Sequence, residues 1–187
     1  MKIGFTGTVS IGKTTLVNEL SKLPEFKDYK FFTERSKYLR DLGIPLNTSS
    51  TFKGQLIFMA ERSRELMYKN IITDRTIIDV MAFTKNSNEI DYIKKESFTE
   101  LASRLIPEYD ILFYISPKGI KIEDNKVRTT DSKYRDRIDE SVYYMITQEY
   151  KYLLKNIHEI HTSNLNERVK FVMEKIKEVD MYNKTKI

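Results

Sequence analysis

The sequence predicts an α/β fold: a five-stranded parallel sheet with helices on both faces. Three observations predict it. Five short apolar runs read as strands, and each is separated from the next by a stretch with helical spacing. One of these runs, Asp110 to Ser116 (Asp-Ile-Leu-Phe-Tyr-Ile-Ser), is apolar throughout its middle, as expected of a strand buried on both faces. A glycine-bounded loop joins the first run to the first helical stretch.

The elements follow in order. Lys2 to Thr6 reads as strand 1. Thr14 to Leu23 places Leu16, Val17, Leu20 and Leu23 on one helical face, and Pro24 closes that helix. Tyr29 to Thr33 is aromatic-rich and reads as strand 2. Ser36 to Leu42 predicts a short helix ended by Gly43 and Pro45. The polar run Thr48-Ser49-Ser50-Thr51 offers N-caps for a longer helix reaching Lys69, marked by Leu56, Ile57, Met59, Ala60 and Leu66. Asn70 to Asp74 holds strand 3. Helices are expected from Thr76 to Phe83 and from Tyr92 to Leu105, before Pro107. After strand 4, Pro117 to Arg137 is charged and poor in apolar residues, which predicts a loop or lid. Ile138 to Leu154 reads as helix, Ile157 to Thr162 as strand 5, and Leu165 to Val179 as a last helix, with Tyr182 to Ile187 frayed.

At 187 residues the chain is long enough for one domain, spanning 1–187, with a lid. No apolar run approaches the roughly 20 residues of a membrane span. The N-terminal residues enter the glycine loop at once, so no signal peptide is expected. Zero cysteines exclude disulfides, thiolate nucleophiles and Cys-ligated zinc, and agree with a cytoplasmic protein. The net charge of +5 is scattered, with basic runs no longer than pairs such as Lys94-Lys95; it would favour phosphate-bearing ligands. His158 and His161 flank Ile160 on strand 5 with no metal-binding partners in view, and read as core or edge histidines.

In a parallel sheet of this kind ligands bind beyond the carboxyl ends of the strands, so the loops after strands 1 to 4 share one edge. The first is Gly7-Thr8-Val9-Ser10-Ile11-Gly12-Lys13-Thr14, which matches G-x-x-x-x-G-K-[ST]. Gly7 and Gly12 let backbone approach phosphate without a Cβ in the way. The loop amides, Thr15 included, and the helix N-terminus form an anion cradle. Lys13 offers a point charge to the β- and γ-phosphates, and Thr14 a hydroxyl to Mg²⁺. Asp74-Arg75 follows strand 3: Asp74 can reach the Mg²⁺ shell, and Arg75 can take substrate or phosphate oxygens bidentately. Glu34-Arg35 follows strand 2, where Glu34 is placed to act as general base, to bind an acceptor or to cap the next helix. In the charged stretch, Arg128, Arg135 and Arg137 are candidates for meeting the charge of a transferring phosphoryl group. Gln55 is a candidate reader of a base edge, Arg62 and Arg64 of an acceptor, and Phe52 and Phe58 of a stacked ring. Ser163-Asn164 follows strand 5, where related folds hold a purine.

With these residues in place the chain resembles the P-loop nucleoside and nucleotide kinases. The resemblance lies in Gly7 to Leu16, Thr33-Glu34-Arg35, Thr73-Asp74-Arg75-Thr76-Ile77-Ile78-Asp79, and Val127-Arg128-Thr129-Thr130-Asp131 with Tyr134-Arg135 and Ile138-Asp139. It is nearest to the small AAA-type ATPase/kinase group that includes ribosylnicotinamide kinase-like proteins, and more distant from deoxynucleoside and thymidylate kinases. It implies a three-layer P-loop kinase fold with sheet order 2-3-1-4-5, ATP with Mg²⁺ as donor, and a nucleoside, a (deoxy)nucleoside monophosphate or a related small molecule as acceptor. The acceptor would lie among helices of residues 33–69, under an Arg-rich lid of residues 117–137. The sequence departs from the deoxynucleoside kinases in having Arg35 after Glu34 where they have proline, and from thymidylate kinases in lacking an acidic residue within the phosphate loop. Asp79 is read as a helix-packing residue or a charge at a helix start. The alternatives are a kinase acting on a hydroxymethylated base in DNA, and an ATPase or nucleotide-dependent switch with no small-molecule acceptor.

Overall fold

In the computed structural model, which describes residues 1–33, 36–118 and 132–185, the strands are β1 (Lys2–Thr6), β2 (Lys30–Phe32), β3 (Ile71–Thr73), β4 (Ile111–Ile115) and β5 (Ile157–Ile160). They form one parallel sheet in the order β2-β3-β1-β4-β5, the order the resemblance implies. Ile3 lies opposite Ile72 on one side and Ile111 on the other. Burial follows this order: β3, β4 and nearly all of β1 are buried, while the edge strand β2 and most of β5 are only partly so.

The period-2 alternation of the strands sorts their side chains into two cores. Ile3, Phe5, Ile72, Phe113 and Ile115 face α1 (Lys13–Leu20) and α7 (Leu165–Lys184), packing on Leu16, Val17, Leu20 and Val172. Ile71, Leu112 and Tyr114 face the opposite layer, built from α3 (Phe52–Leu66), α4 (Ile77–Lys85), α5 (Tyr92–Ser103) and α6 (Ser132–Tyr144). The short α2 (Ser36–Asp41) follows β2. At the centre of the second layer, α4 buries Ile77, Ile78, Asp79, Val80, Met81, Ala82 and Thr84. Among the described residues, side chains cap four helices: Thr51 for α3, Thr76 for α4, Asp91 for α5 and Asn164 for α7.

Several boundaries differ from expectation. The charged stretch is not loop as far as Arg137, because α6 begins at Ser132. Tyr134, Ile138 and Val142, spaced four apart, make a buried stripe under a charged outer face, and that stripe starts the helix early. α6 then stops at Tyr144 and gives way to a π-helical turn, Met145–Glu149, fastened by a 2.7 Å ion pair between Lys85 and Glu149. α1 ends at Leu20, and Pro24 opens a separate 3₁₀ turn, Pro24–Phe26. α7 runs on to Lys184, past the expected end of the last helix at Val179, with no glycine or proline to interrupt it. Among the described residues no helix is long and apolar enough to cross a membrane.

Candidate active site

The loop between β1 and α1 has the backbone its glycines predict. Gly7 has φ 134° and Gly12 φ 83°, both in the region that favours glycine, and Ser10 sits at φ 58°. Gly12 is the N-cap of α1 and supplies no side-chain cap. The amides of the first helical turn have no intrahelical acceptor, and the helix's own bonding begins where the Leu16 amide donates to the Gly12 carbonyl at 3.0 Å. Those amides and the helix dipole make a cradle for an anion. Ile11 is buried in the core between the sheet, α1 and α7 and pins the loop there, and the Thr8 hydroxyl donates to the Arg135 carbonyl at 2.8 Å.

One clamp on this loop escaped the sequence reading. Arg168, buried on α7, donates to the Ile11 carbonyl at 2.8 Å and to the Thr162 carbonyl at 2.7 Å. A signal did exist: Arg168 is in the first turns of a helix, where a cation opposes the dipole unless carbonyls compensate it.

Lys13 is buried and donates to the Gly7 and Thr8 carbonyls, both at 2.6 Å. Thr14 donates to Asp74 Oδ2 at 2.5 Å. Asp74 is brought there by strand order: β3 lies beside β1, and the Asp74 amide donates to the Phe32 carbonyl of β2 at 2.9 Å. The Thr14 hydroxyl and Asp74 carboxylate are hard oxygen donors side by side, which fits Mg²⁺, an ion that takes few protein ligands and completes its shell with water and phosphate. Among the described residues no group of three His, Cys, Asp or Glu could hold a metal without such help.

Arg75 is buried, with its guanidinium 4.7 Å from the Phe83 ring centre. Its carbonyl is held from beneath by Arg62, at 2.9 Å, and by the Thr73 hydroxyl, at 2.8 Å. Arg62 also pairs with Glu65 at 2.7 Å, both side chains being buried. Arg62 therefore supports the Asp74-Arg75 turn, which corrects its reading as an acceptor contact. Arg64 is exposed at the sheet edge over Phe32.

Burial pushes the Glu65 carboxyl up to about 7, against the pull of Arg62 and Thr73, from an ordinary value near 4.5. Between those values the folded chain keeps a proton that the unfolded chain has released. This contribution to stability is complete below about pH 4.5 and is lost as pH rises through about 7. In urea melts taken across this range, Glu65→Gln should flatten that decline; an unaltered slope would assign the titration elsewhere.

Beside the phosphate loop lies a pocket. Val9 comes from the loop itself, Gln55 and Phe58 from α3, Val80 and Phe83 from α4, and Arg75 from the turn after β3. Gln55 is buried and lines this pocket together with Phe58. Phe52 instead packs edge-on against Phe98. Arg135 is buried and donates to the Pro117 carbonyl at 3.3 Å, whereas Arg137, two residues on, is exposed and lies over the Tyr134 ring. Nearby, burial raises the Asp139 carboxyl to about 6 despite a 2.9 Å hydrogen bond from Tyr114. Glu34, Arg35 and Arg128 lie outside the described residues. His158 packs against Phe113 and Phe171 and His161 is exposed, as expected of core and edge positions. Asn164 caps α7.

A five-stranded parallel sheet with this strand–loop–helix defines a P-loop nucleotide-binding protein. More narrowly, the chain belongs to the AAA domain family, whose model matches residues 2–168. No curated protein matches it by sequence. Among solved structures it is similar to a deoxyadenosine kinase from M. mycoides with the products dCMP and dCDP bound, at 21% identity and TM-score 0.68, covering 96% of this chain and 100% of that one. It is similar to a NadR protein in complex with NR, at 17% identity and TM-score 0.70, covering 92% of this chain and 50% of that one. It is similar also to a thymidylate kinase from Ehrlichia chaffeensis, at 17% identity and TM-score 0.60, covering 94% of this chain and 98% of that one. At these identities the likeness establishes the fold, that of the P-loop nucleoside and nucleotide kinases.

Proposed function

We propose that the chain is an ATP-dependent kinase that transfers the γ-phosphate to a nucleoside, a (deoxy)nucleoside monophosphate or a related small acceptor. The observation that carries this reading is the pocket itself. It opens against the phosphate loop, shares Val9 with it, and combines aromatic walls with one buried amide and one guanidinium.

In this reading the amides from Thr8 to Thr15 hold the donor phosphates. Lys13 leaves the Gly7 and Thr8 carbonyls to meet the β- and γ-phosphates. Thr14 and Asp74 would hold Mg²⁺, which when bound neutralises charge between those phosphates. Arg75, braced on Phe83 and by Arg62, orients the acceptor at the pocket's edge toward the loop. Arg135, tied to the loop by the bond from the Thr8 hydroxyl to its carbonyl, is assigned to the charge of the transferring group, as are Arg128 and Arg137. Glu34 is the proposed base on an acceptor hydroxyl. Residues 33–69 supply the acceptor site and residues 117–137 the lid of one kinase domain. Free nucleotides and a cysteine-free chain match a cytoplasmic setting.

The test is a panel of nucleosides, nucleoside monophosphates, nicotinamide riboside and an oligonucleotide, incubated with ATP and magnesium and read by mass. One small-molecule class should gain a phosphate; ADP formation with no phosphorylated product would sink the reading. With the accepted substrate, Gln55→Leu should raise the acceptor KM about tenfold and leave the ATP KM in place, because the buried amide faces the acceptor alone. Equal effects on both constants would remove Gln55 from the acceptor.

A further inference from the structure

We propose that Asp79 is a positioning residue for the phosphate loop, holding the loop's first amide and facing Lys13 from the helix that walls the acceptor pocket; this rests on the kinase reading above. The Asp79 side chain is shut off from solvent. Its Oδ2 accepts the Thr76 amide at 2.8 Å and the Thr76 hydroxyl at 3.0 Å, and that hydroxyl accepts the Ile78 amide at 3.2 Å. These bonds cap α4, the role a charge at a helix start predicts. Oδ1 does something the cap does not need. It accepts the Gly7 amide at 3.3 Å and stands 3.9 Å from Lys13 Nζ.

Lys13 in turn rests on the Gly7 and Thr8 carbonyls. The carboxylate therefore anchors one side of Gly7 while the ammonium rests on the other, and each charge offsets the burial of its neighbour. The same helix carries Val80 and Phe83 into the pocket. One side chain thus sets the loop that grips the donor against the wall that holds the acceptor. In-line transfer is sensitive to small errors in that spacing.

Asparagine has one acceptor oxygen where aspartate has two. It can serve the cap or the loop, and it offers Lys13 no charge in either case. Thr76→Val removes the capping hydroxyl and leaves Oδ1 untouched. Magnesium with a non-hydrolysable ATP analogue, titrated calorimetrically into the wild-type chain and both variants, separates the two roles, with a thermal melt run on each. Asp79→Asn should weaken nucleotide binding about tenfold or more, and Thr76→Val should lower the melting temperature with affinity near wild type. In the wild-type chain without nucleotide, the Gly7 amide should exchange hydrogen more slowly than those of Ser10 and Ile11, a measurement that needs no variant to fold. Wild-type affinity in Asp79→Asn, affinity losses that simply track melting temperature in both variants, or a fast-exchanging Gly7 amide would each overturn the proposal. A wild-type chain that binds no nucleotide would overturn the kinase reading with it.

Discussion

Lys13→Ala is expected to lower turnover by about 10³-fold while leaving a cooperatively folded chain. The γ-phosphoryl group spreads its charge over oxygens as it transfers, and a preorganised cation there is worth about 10²–10³ in rate by comparison with single donors elsewhere. Lys13 is well suited to be that cation, being buried, bonded to two carbonyls of the loop and faced by the Asp79 carboxylate from α4. The alanine variant leaves Asp79 without its nearest ammonium, so a modest fall in melting temperature should accompany the loss of activity. Single-turnover rates with saturating ATP and the accepted substrate make the measurement, beside a thermal melt. Turnover within a few-fold of wild type would take the ammonium out of the chemistry.

Gly7→Ala is expected to cost about 3 kcal/mol or more of folding stability and to abolish nucleotide binding. Two penalties combine at this position. The backbone sits at φ 134°, where a Cβ is strained, and that Cβ would come within 2.6 Å of Ile11 Cδ1 and 2.8 Å of the Ile115 carbonyl oxygen. The Ile11 side chain can turn away. Ile115 cannot, because it ends β4, which is hydrogen-bonded to strands on both sides. Relief must therefore come from moving the loop, and with it the amide that Asp79 holds. Urea unfolding and nucleotide titration test both halves. A variant as stable as wild type would mean that the loop relaxes without the sheet.

The phosphate loop and its ligands were readable from residues in contiguous order. Gly7, Gly12, Lys13 and Thr14 stand at fixed spacing because a tight anion-binding turn dictates its own residue types over a few positions. The strand runs were readable for the same local reason, since alternation and burial are written in neighbouring residues. The beginning of α6 was not. Its buried stripe of Tyr134, Ile138 and Val142 is sparse against a charged background, and it makes sense only once a core is there to receive it.

The sequence by itself determined that a loop of the pattern G-x-x-x-x-G-K-[ST] follows the first strand, and that Asp74 stands at the end of a strand able to lie beside it. Only the tertiary structure decided what the remaining polar groups do. Arg62 braces a turn instead of meeting an acceptor, Arg168 clamps the loop from the last helix, and Asp79 caps one element while anchoring another. The physical reason is range. A turn's geometry is settled by the residues inside it, whereas a buried charge takes its partner from whatever chain the packing brings alongside. Asp79 and Gly7 are 72 residues apart, and their meeting depends on β3 lying beside β1 and on α4 crossing behind them.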